Sequence, residues 1–163
     1  MTKVSVFNRK NACKLAPMPD TVVISITRPG DPAPLDWGWQ DILRLEFDDI
    51  TWEDTDPNEK GFPIHGTDRR SFVKPKLVLF SEAQAAQVIE FAEKFQEKSF
   101  MVHCDAGISR SVAIGFFIAS TFEKELVLNE TDTIQFRNVH VDALLRRAIN
   151  KRFYGDSIKY KGE

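Results

Sequence analysis

Between His103 and Ser111 the chain reads HCDAGISRS, with five residues separating Cys104 from Arg110. Gly107 allows the intervening segment to turn tightly. A tight loop that enters a helix points backbone N–H groups inward, and with the helix dipole these donors form an anion site. They also favour the thiolate form of Cys104, while Arg110 supplies a planar fork for two oxygens of a tetrahedral anion. The pattern predicts attack of a thiolate on a phosphoryl group.

The segments that flank this loop predict the elements that position it. Residues 100–104 form an apolar run typical of a buried strand, with Cys104 at its carboxyl end. Residues 111–120 are apolar on all sides, which indicates a helix packed inside the fold. Three further strands are predicted at residues 3–7, 21–26 and 42–47.

Two amphipathic helices complete the pattern. The first follows Ser81, which has capping-box spacing to Gln84, and is expected to end near Lys98. The second lies around residues 141–149, with Asn138 as its cap. Because strands alternate with helices in the second half, the sequence predicts an α/β fold with a central, mostly parallel sheet flanked by helices. Such sheets bind ligands at the carboxyl ends of their strands, where Cys104 lies.

Length and composition restrict the class of protein. A chain of 163 residues with 42% hydrophobic residues predicts a single domain, 1–163. The net charge of −2 gives no basic excess, so nucleic acid is not an expected partner. The N-terminus lacks a signal-peptide core and no apolar run could cross a bilayer, so we expect a cytoplasmic protein without membrane contact.

The cysteine count bears on cofactors. The two cysteines, Cys13 and Cys104, are too few for a disulfide scaffold, and no Cys/His spacing indicates a zinc site. The sequence therefore predicts neither a metal nor another cofactor. Cys13 is interpreted as an idle thiol, with a protective disulfide to an oxidised Cys104 as the alternative.

The form HCxxGxSRS resembles the signature of the cysteine-dependent protein tyrosine phosphatase superfamily, and most closely its dual-specificity branch. The order of elements over roughly residues 20–150 is similar to that of the superfamily, and the segments VVISITRPG and LRLEFDD resemble compact prokaryotic and viral members. The resemblance implies the phosphotyrosine protein phosphatase II type of α/β fold and a phosphatase activity.

The resemblance also implies roles for individual residues. Cys104 would be the nucleophile and form a thiophosphoryl enzyme, and Arg110 would bind phosphate and stabilise the transition state. Ser111 would hydrogen-bond the sulfur and assist its departure, while His103 would support the loop. The amides of the loop would bind the phosphate; they belong to Asp105, Ala106, Gly107, Ile108, Ser109 and Arg110.

A phosphatase of this type also needs a general acid that protonates the leaving oxygen. In the dual-specificity branch this aspartate follows a strand, and the resemblance places it at Asp49, with Asp48 as the alternative. Asp54, Asp56 and Asp68 are further candidates. The spacing from Asp49 to Cys104 exceeds that of compact members, and the excess falls in the polar segment 51–76.

That segment has two interpretations, a functional lid or long loop and a solvated insertion. Its basic residues would contact substrate in the first case and form a solvated face in the second; they are Arg69, Arg70, Lys74 and Lys76. Residues 155–163 are expected to be a flexible tail.

The loop composition bears on the substrate. An acidic Asp105 should repel polyanions, and Ile108 offers an apolar wall, which favours a phosphoprotein or phosphopeptide partner with phosphotyrosine first and phosphoserine or phosphothreonine next. The alternatives are a catalytically weak phosphoprotein-binding module, or a phosphatase acting on a nucleotide, an RNA 5′ end or another small phosphoester. Sequence gives no indication of oligomeric state.

Overall fold

The computed structural model describes residues 1–51 and 77–155. Its strands are β1 (Lys3–Asn8), β2 (Thr21–Thr27), β3 (Ile42–Glu46), β4 (Ser99–Cys104) and β5 (Glu125–Leu128), and its helices are α1 (Arg9–Ala12), α2 (Glu82–Lys94), α3 (Arg110–Thr121) and α4 (Val139–Tyr154). The candidate acids and basic residues between 52 and 76, and the predicted tail after Gly155, lie outside the described residues.

The five strands form one sheet in the order β3-β2-β4-β1-β5, and every pairing between them is parallel. The chain is therefore α/β, with an all-parallel sheet where a mostly parallel one was predicted. β4 lies at the centre, so Cys104 at its end is flanked by β1 and β2. Parallel strands all end at one edge, and the loops after them converge there.

The two faces of the sheet bury different sets of residues, because side chains alternate along a strand. Ile24 and Val102 belong to the larger core cluster, which also includes residues of α2, α3 and α4. Val23 and Met101 belong to a smaller cluster with Ala12 of α1. Cys104 is part of the larger cluster, so its backbone is anchored by the main core of the protein.

The predicted strands agree with β1 to β4 to within a residue at either end. The predicted helices correspond to α2, α3 and α4, although α4 extends beyond the predicted residues 141–149 at both ends. The capping box joins Ser81 and Gln84 as expected, and Asn138 caps α4 through its side chain. α2 ends at Lys94, before the predicted end near Lys98, because Phe95 leaves helical geometry. Sequence reasoning missed α1 and β5, which are only four residues long.

Candidate functional site

The cysteine loop connects β4 to α3 at the carboxyl edge of the sheet. Cys104 is 2% exposed, and its Sγ accepts a hydrogen bond from the backbone N–H of Gly107 at 3.2 Å. Oγ of the fully buried Ser111 lies 2.9 Å from the same sulfur. Two polar groups thus point at one buried sulfur, an arrangement that stabilises negative charge on it.

Gly107 is required by the geometry of this loop. Its φ is +72°, a left-handed backbone conformation that side chains other than glycine rarely adopt. A Cβ placed there would lie 2.7 Å from the backbone nitrogen of Asn8 and 2.7 Å from Cγ of Glu130. The absence of a side chain lets the loop fold against β1, which directs the Gly107 amide toward Cys104.

Arg110 begins α3 and is 4% exposed. Its Nη1 donates to the carbonyl of Phe47 at 2.7 Å, and its Nη2 donates to Oδ2 of Asp105 at 3.0 Å. Among the described residues, its Nε has no hydrogen-bond partner. A buried donor without a partner is costly, so the Nε edge of this guanidinium is a place where an anion would be stabilised.

The first backbone N–H groups of α3 receive no hydrogen bond from the side chain at the N-cap position. Ser109 occupies the N-cap position but makes no capping hydrogen bond from its side chain. Its hydroxyl donates instead to Oδ1 of Asp49 at 2.7 Å. The first amides of α3 therefore lack the acceptor that an N-cap serine usually supplies, which leaves them available to an anion in the loop.

The two candidate acids have different surroundings. The exposed Asp49 accepts hydrogen bonds at Oδ1 from Ser109 and from Nδ2 of Asn138, the latter at 3.0 Å. Asp48 is partly buried and exchanges two hydrogen bonds with the backbone of Val78, each at 2.8 Å. The structure thus brings Asp49 to the cysteine loop, while the carboxylate of Asp48 ties two backbone segments together.

Asn138 connects three parts of the site, a role that its capping position did not reveal. Its Oδ1 caps α4, its Nδ2 binds Asp49 and the carbonyl of Ile50, and its backbone N–H donates to the carbonyl of Ser109. It is 4% exposed, so these contacts are shielded from water. Asn138 therefore fixes Asp49 relative to the loop.

His103 lies on the opposite face of β4 from Cys104 and is fully buried. Its Nδ1 is 3.4 Å from the carbonyl of Cys104, and its Nε2 is 2.6 Å from Oγ of Ser25. Because a carbonyl oxygen only accepts, the proton belongs on Nδ1 and the Ser25 hydroxyl donates to Nε2. Burial lowers the pKa of His103 from 6.5 to about 4, so the imidazole is neutral at physiological pH.

A second network supports the loop from the side of β1. The carboxylate of Glu130 accepts from Nδ2 of Asn8 at 2.7 Å and from Nδ2 of Asn11 at 2.8 Å, while its Cγ packs beneath Gly107. Sequence reasoning did not identify this network. Glu130 is 122 residues from Asn8 and 119 residues from Asn11, and each of the three is a common polar type, so no local signal joins them.

The other residues of the predicted anion site vary in exposure. Asp105 and Ala106 are exposed, whereas Ile108 is only partly so.

Within the described residues no group of three or more His, Cys, Asp or Glu could hold a metal ion. Cys13 and Cys104 are both free thiols. None of the helices among the same residues has both the length and the apolar character needed to cross a membrane.

Comparisons of the chain with protein-family models, with curated proteins and with solved structures give no significant match.

Proposed function

We propose that this chain is a cysteine-dependent phosphatase of the protein tyrosine phosphatase type, related to the dual-specificity branch. The observation that carries the proposal is the buried Cys104 sulfur, which accepts the Gly107 amide at 3.2 Å. It lies in a loop that ends in a buried arginine with an unpaired Nε. An all-parallel sheet with this loop at its carboxyl edge fits the fold expected of such an enzyme.

The reaction proceeds in two steps. The thiolate of Cys104 attacks phosphorus and forms a sulfur–phosphorus bond, while the bond from phosphorus to the leaving oxygen breaks. Arg110 and the loop amides bind the three remaining phosphoryl oxygens, which carry the charge of the transition state. Asp49 gives its proton to the leaving oxygen, through Oδ2, which has no hydrogen-bond partner among the described residues.

In the second step a water molecule attacks the thiophosphoryl group. The Asp49 carboxylate takes the proton from this water, phosphate is released, and Cys104 leaves as a thiolate. The hydroxyl of Ser111, 2.9 Å from the sulfur, donates to it as the negative charge returns. The neutral His103 holds the backbone at Cys104 through Nδ1 and takes no part in proton transfer.

The substrate class proposed is a phosphoprotein, with phosphotyrosine first and phosphoserine or phosphothreonine next. The partly exposed Ile108 and the exposed Ala106 give the loop an apolar surface suited to an aromatic leaving group. The acidic Asp105 beside them disfavours substrates with several phosphates.

A second candidate, a phosphoprotein-binding module with weak catalysis, is favoured by one observation. Both hydrogen bonds that Asp49 makes within the described residues are acceptor contacts, whereas a general acid must donate. A module of this kind would bind a phosphopeptide through the same loop without turnover.

Hydrolysis of p-nitrophenyl phosphate separates the two candidates. We expect activity in the unaltered chain, its loss in Cys104→Ser, and its retention in the matched control Cys13→Ser. Absence of turnover together with phosphopeptide binding would favour the binding module. Activity in Cys104→Ser would show that Cys104 is not the nucleophile. Initial rates on phosphotyrosine and phosphoserine peptides, a nucleoside monophosphate and 5′-triphosphorylated RNA then define the substrate class.

A further inference from the structure

The carboxylate of Asp105 is hydrogen-bonded to Arg110, the arginine that the proposed function assigns to phosphate binding. Its Oδ2 lies 3.0 Å from Nη2 of Arg110, and the two side chains are 42% and 5% exposed. Nη2 lies beside the unpaired Nε on the guanidinium, so an oxyanion that takes both nitrogens must compete with Asp105. The site therefore contains its own competing anion.

A second arginine holds Asp105 in this position. The backbone N–H of Arg9 donates to the Asp105 carbonyl at 3.2 Å, and Nη1 of Arg9 lies 3.9 Å from Oδ1 of Asp105. Arg9 is anchored in turn by Asp31, whose two carboxylate oxygens accept from its guanidinium at 3.1 Å. The Asp105 carboxylate thus lies between two guanidinium groups, those of Arg110 and Arg9.

We propose that Asp105 is a specificity-determining residue that competes with phosphate for Arg110 and shifts toward Arg9 when phosphate binds. The inference rests on the proposed function, which places phosphate at Arg110. Competition weakens the binding of every oxyanion in the loop. A second phosphate group is also repelled by the displaced carboxylate, so Asp105 lowers the affinity of an anion with two phosphates more than that of an anion with one.

Equilibrium binding to the full chain tests this. The affinities of inorganic phosphate and of methylenediphosphonate, a diphosphate analogue that resists hydrolysis, are measured by calorimetry at constant ionic strength. Asp105→Asn keeps the shape and an acceptor oxygen but removes the charge, and Asp105→Ala removes the acceptor too. We expect the Kd of phosphate to fall about three- to tenfold in Asp105→Asn and further in Asp105→Ala, with a larger fall for the diphosphonate.

Asp20→Asn is the matched control, because it removes the same charge from an exposed residue that precedes β2, at the opposite edge of the sheet from Arg110. We expect its phosphate Kd to change less than about twofold, since charges on the surface are screened by salt. An equal gain in affinity in Asp20→Asn would mean that the effect comes from net charge and not from competition for Arg110. Weaker binding in both Asp105 variants would mean that Asp105 positions Arg110, and either outcome overturns the proposal, as would an unchanged Kd.

Because binding rather than turnover is measured, the two proposals can fail separately. If the chain hydrolyses phosphomonoesters but its phosphate affinity is the same in the Asp105 variants, the phosphatase proposal stands and the role of Asp105 is wrong. If the Asp105 variants bind phosphate more tightly but the chain hydrolyses no phosphomonoester, the role of Asp105 stands and the phosphatase proposal is wrong.

Discussion

The hydroxyl of Ser109 donates a 2.7 Å hydrogen bond to Oδ1 of Asp49, and so joins the segment that follows β3 to the start of α3. This contact explains both why the helix lacks a capping side chain and how a surface aspartate comes to the cysteine loop. Asn138 binds the same oxygen at 3.0 Å, which fixes the carboxyl group from a third segment.

The first prediction concerns the general acid. Asp49→Asn should lower kcat/KM on phenyl phosphate about 10²- to 10⁴-fold, because the poor leaving group must be protonated as it departs. Its effect on kcat/KM for p-nitrophenyl phosphate should be much smaller, since that leaving group is stable as an anion. The measurement is kcat/KM on both esters, because kcat also contains the hydrolysis of the thiophosphoryl enzyme, in which Asp49 takes part.

Asp48→Asn makes the same chemical change one residue away, and we expect it to keep the leaving-group dependence of the unaltered chain. If Asp48→Asn instead loses phenyl phosphate hydrolysis and Asp49→Asn keeps it, the acid is Asp48. If neither variant changes the ratio of the two rates, the acid lies elsewhere in the chain.

The second prediction concerns Ser111. Ser111→Ala removes the hydroxyl that lies 2.9 Å from Cys104 Sγ, so breakdown of the thiophosphoryl intermediate should slow more than its formation. Rapid mixing with p-nitrophenyl phosphate should then show a burst of p-nitrophenol close to one equivalent of protein, followed by a slow steady rate. Ser120→Ala, on an exposed part of α3, should behave as the unaltered chain. A Ser111→Ala variant with full steady-state rate and no burst would contradict the role.

The third prediction concerns Gly107. Gly107→Ala combines a strained φ with a Cβ 2.7 Å from backbone, whereas Gly30→Ala has a similar φ of +79° and open space around it. We expect Gly30→Ala to lower the free energy of unfolding by about 1–2 kcal/mol through backbone strain. Gly107→Ala should cost about 1–3 kcal/mol more because of the steric overlap. Urea unfolding of both variants measures the difference, and equal losses would contradict the close approach.

The fourth prediction is a pH dependence of stability. Burial lowers the pKa of His103 from 6.5 to about 4 in the folded chain, so between these values the unfolded chain binds a proton that the folded chain does not. The stabilisation is complete above pH 6.5 and is lost as the pH falls toward 4. At about 1.4 kcal/mol per pH unit, the full loss from this residue is about 3 kcal/mol.

Urea unfolding at pH 7 and pH 5 measures this effect. His103→Gln, which can still hydrogen-bond Ser25, should show a smaller loss between the two pH values than the unaltered chain. His140→Gln, on α4, is the matched control and should retain the larger loss. An identical loss in all three proteins would place the titrating group elsewhere.

Sequence alone predicted most of the elements that position the site. β-branched runs, apolar periodicity and a capping box are local signals, and they located β1 to β4 and the three long helices. The cysteine loop was also predicted from a local signal, because its cysteine, glycine and arginine lie within seven residues. The short elements α1 and β5 were missed because four residues are too few to show a period.

The sequence by itself determined the residues of the loop, Cys104, Gly107 and Arg110, because their spacing fixes them in one turn between a strand and a helix. Only the tertiary structure shows which of the neighbours Asp48 and Asp49 hydrogen-bonds the loop, since adjacent residues at a strand end point in different directions. It alone paired Asp105 with both Arg110 and Arg9. Arg9 follows β1 and Asp105 follows β4, and contacts between residues that follow different strands depend on sheet order, which no local pattern encodes.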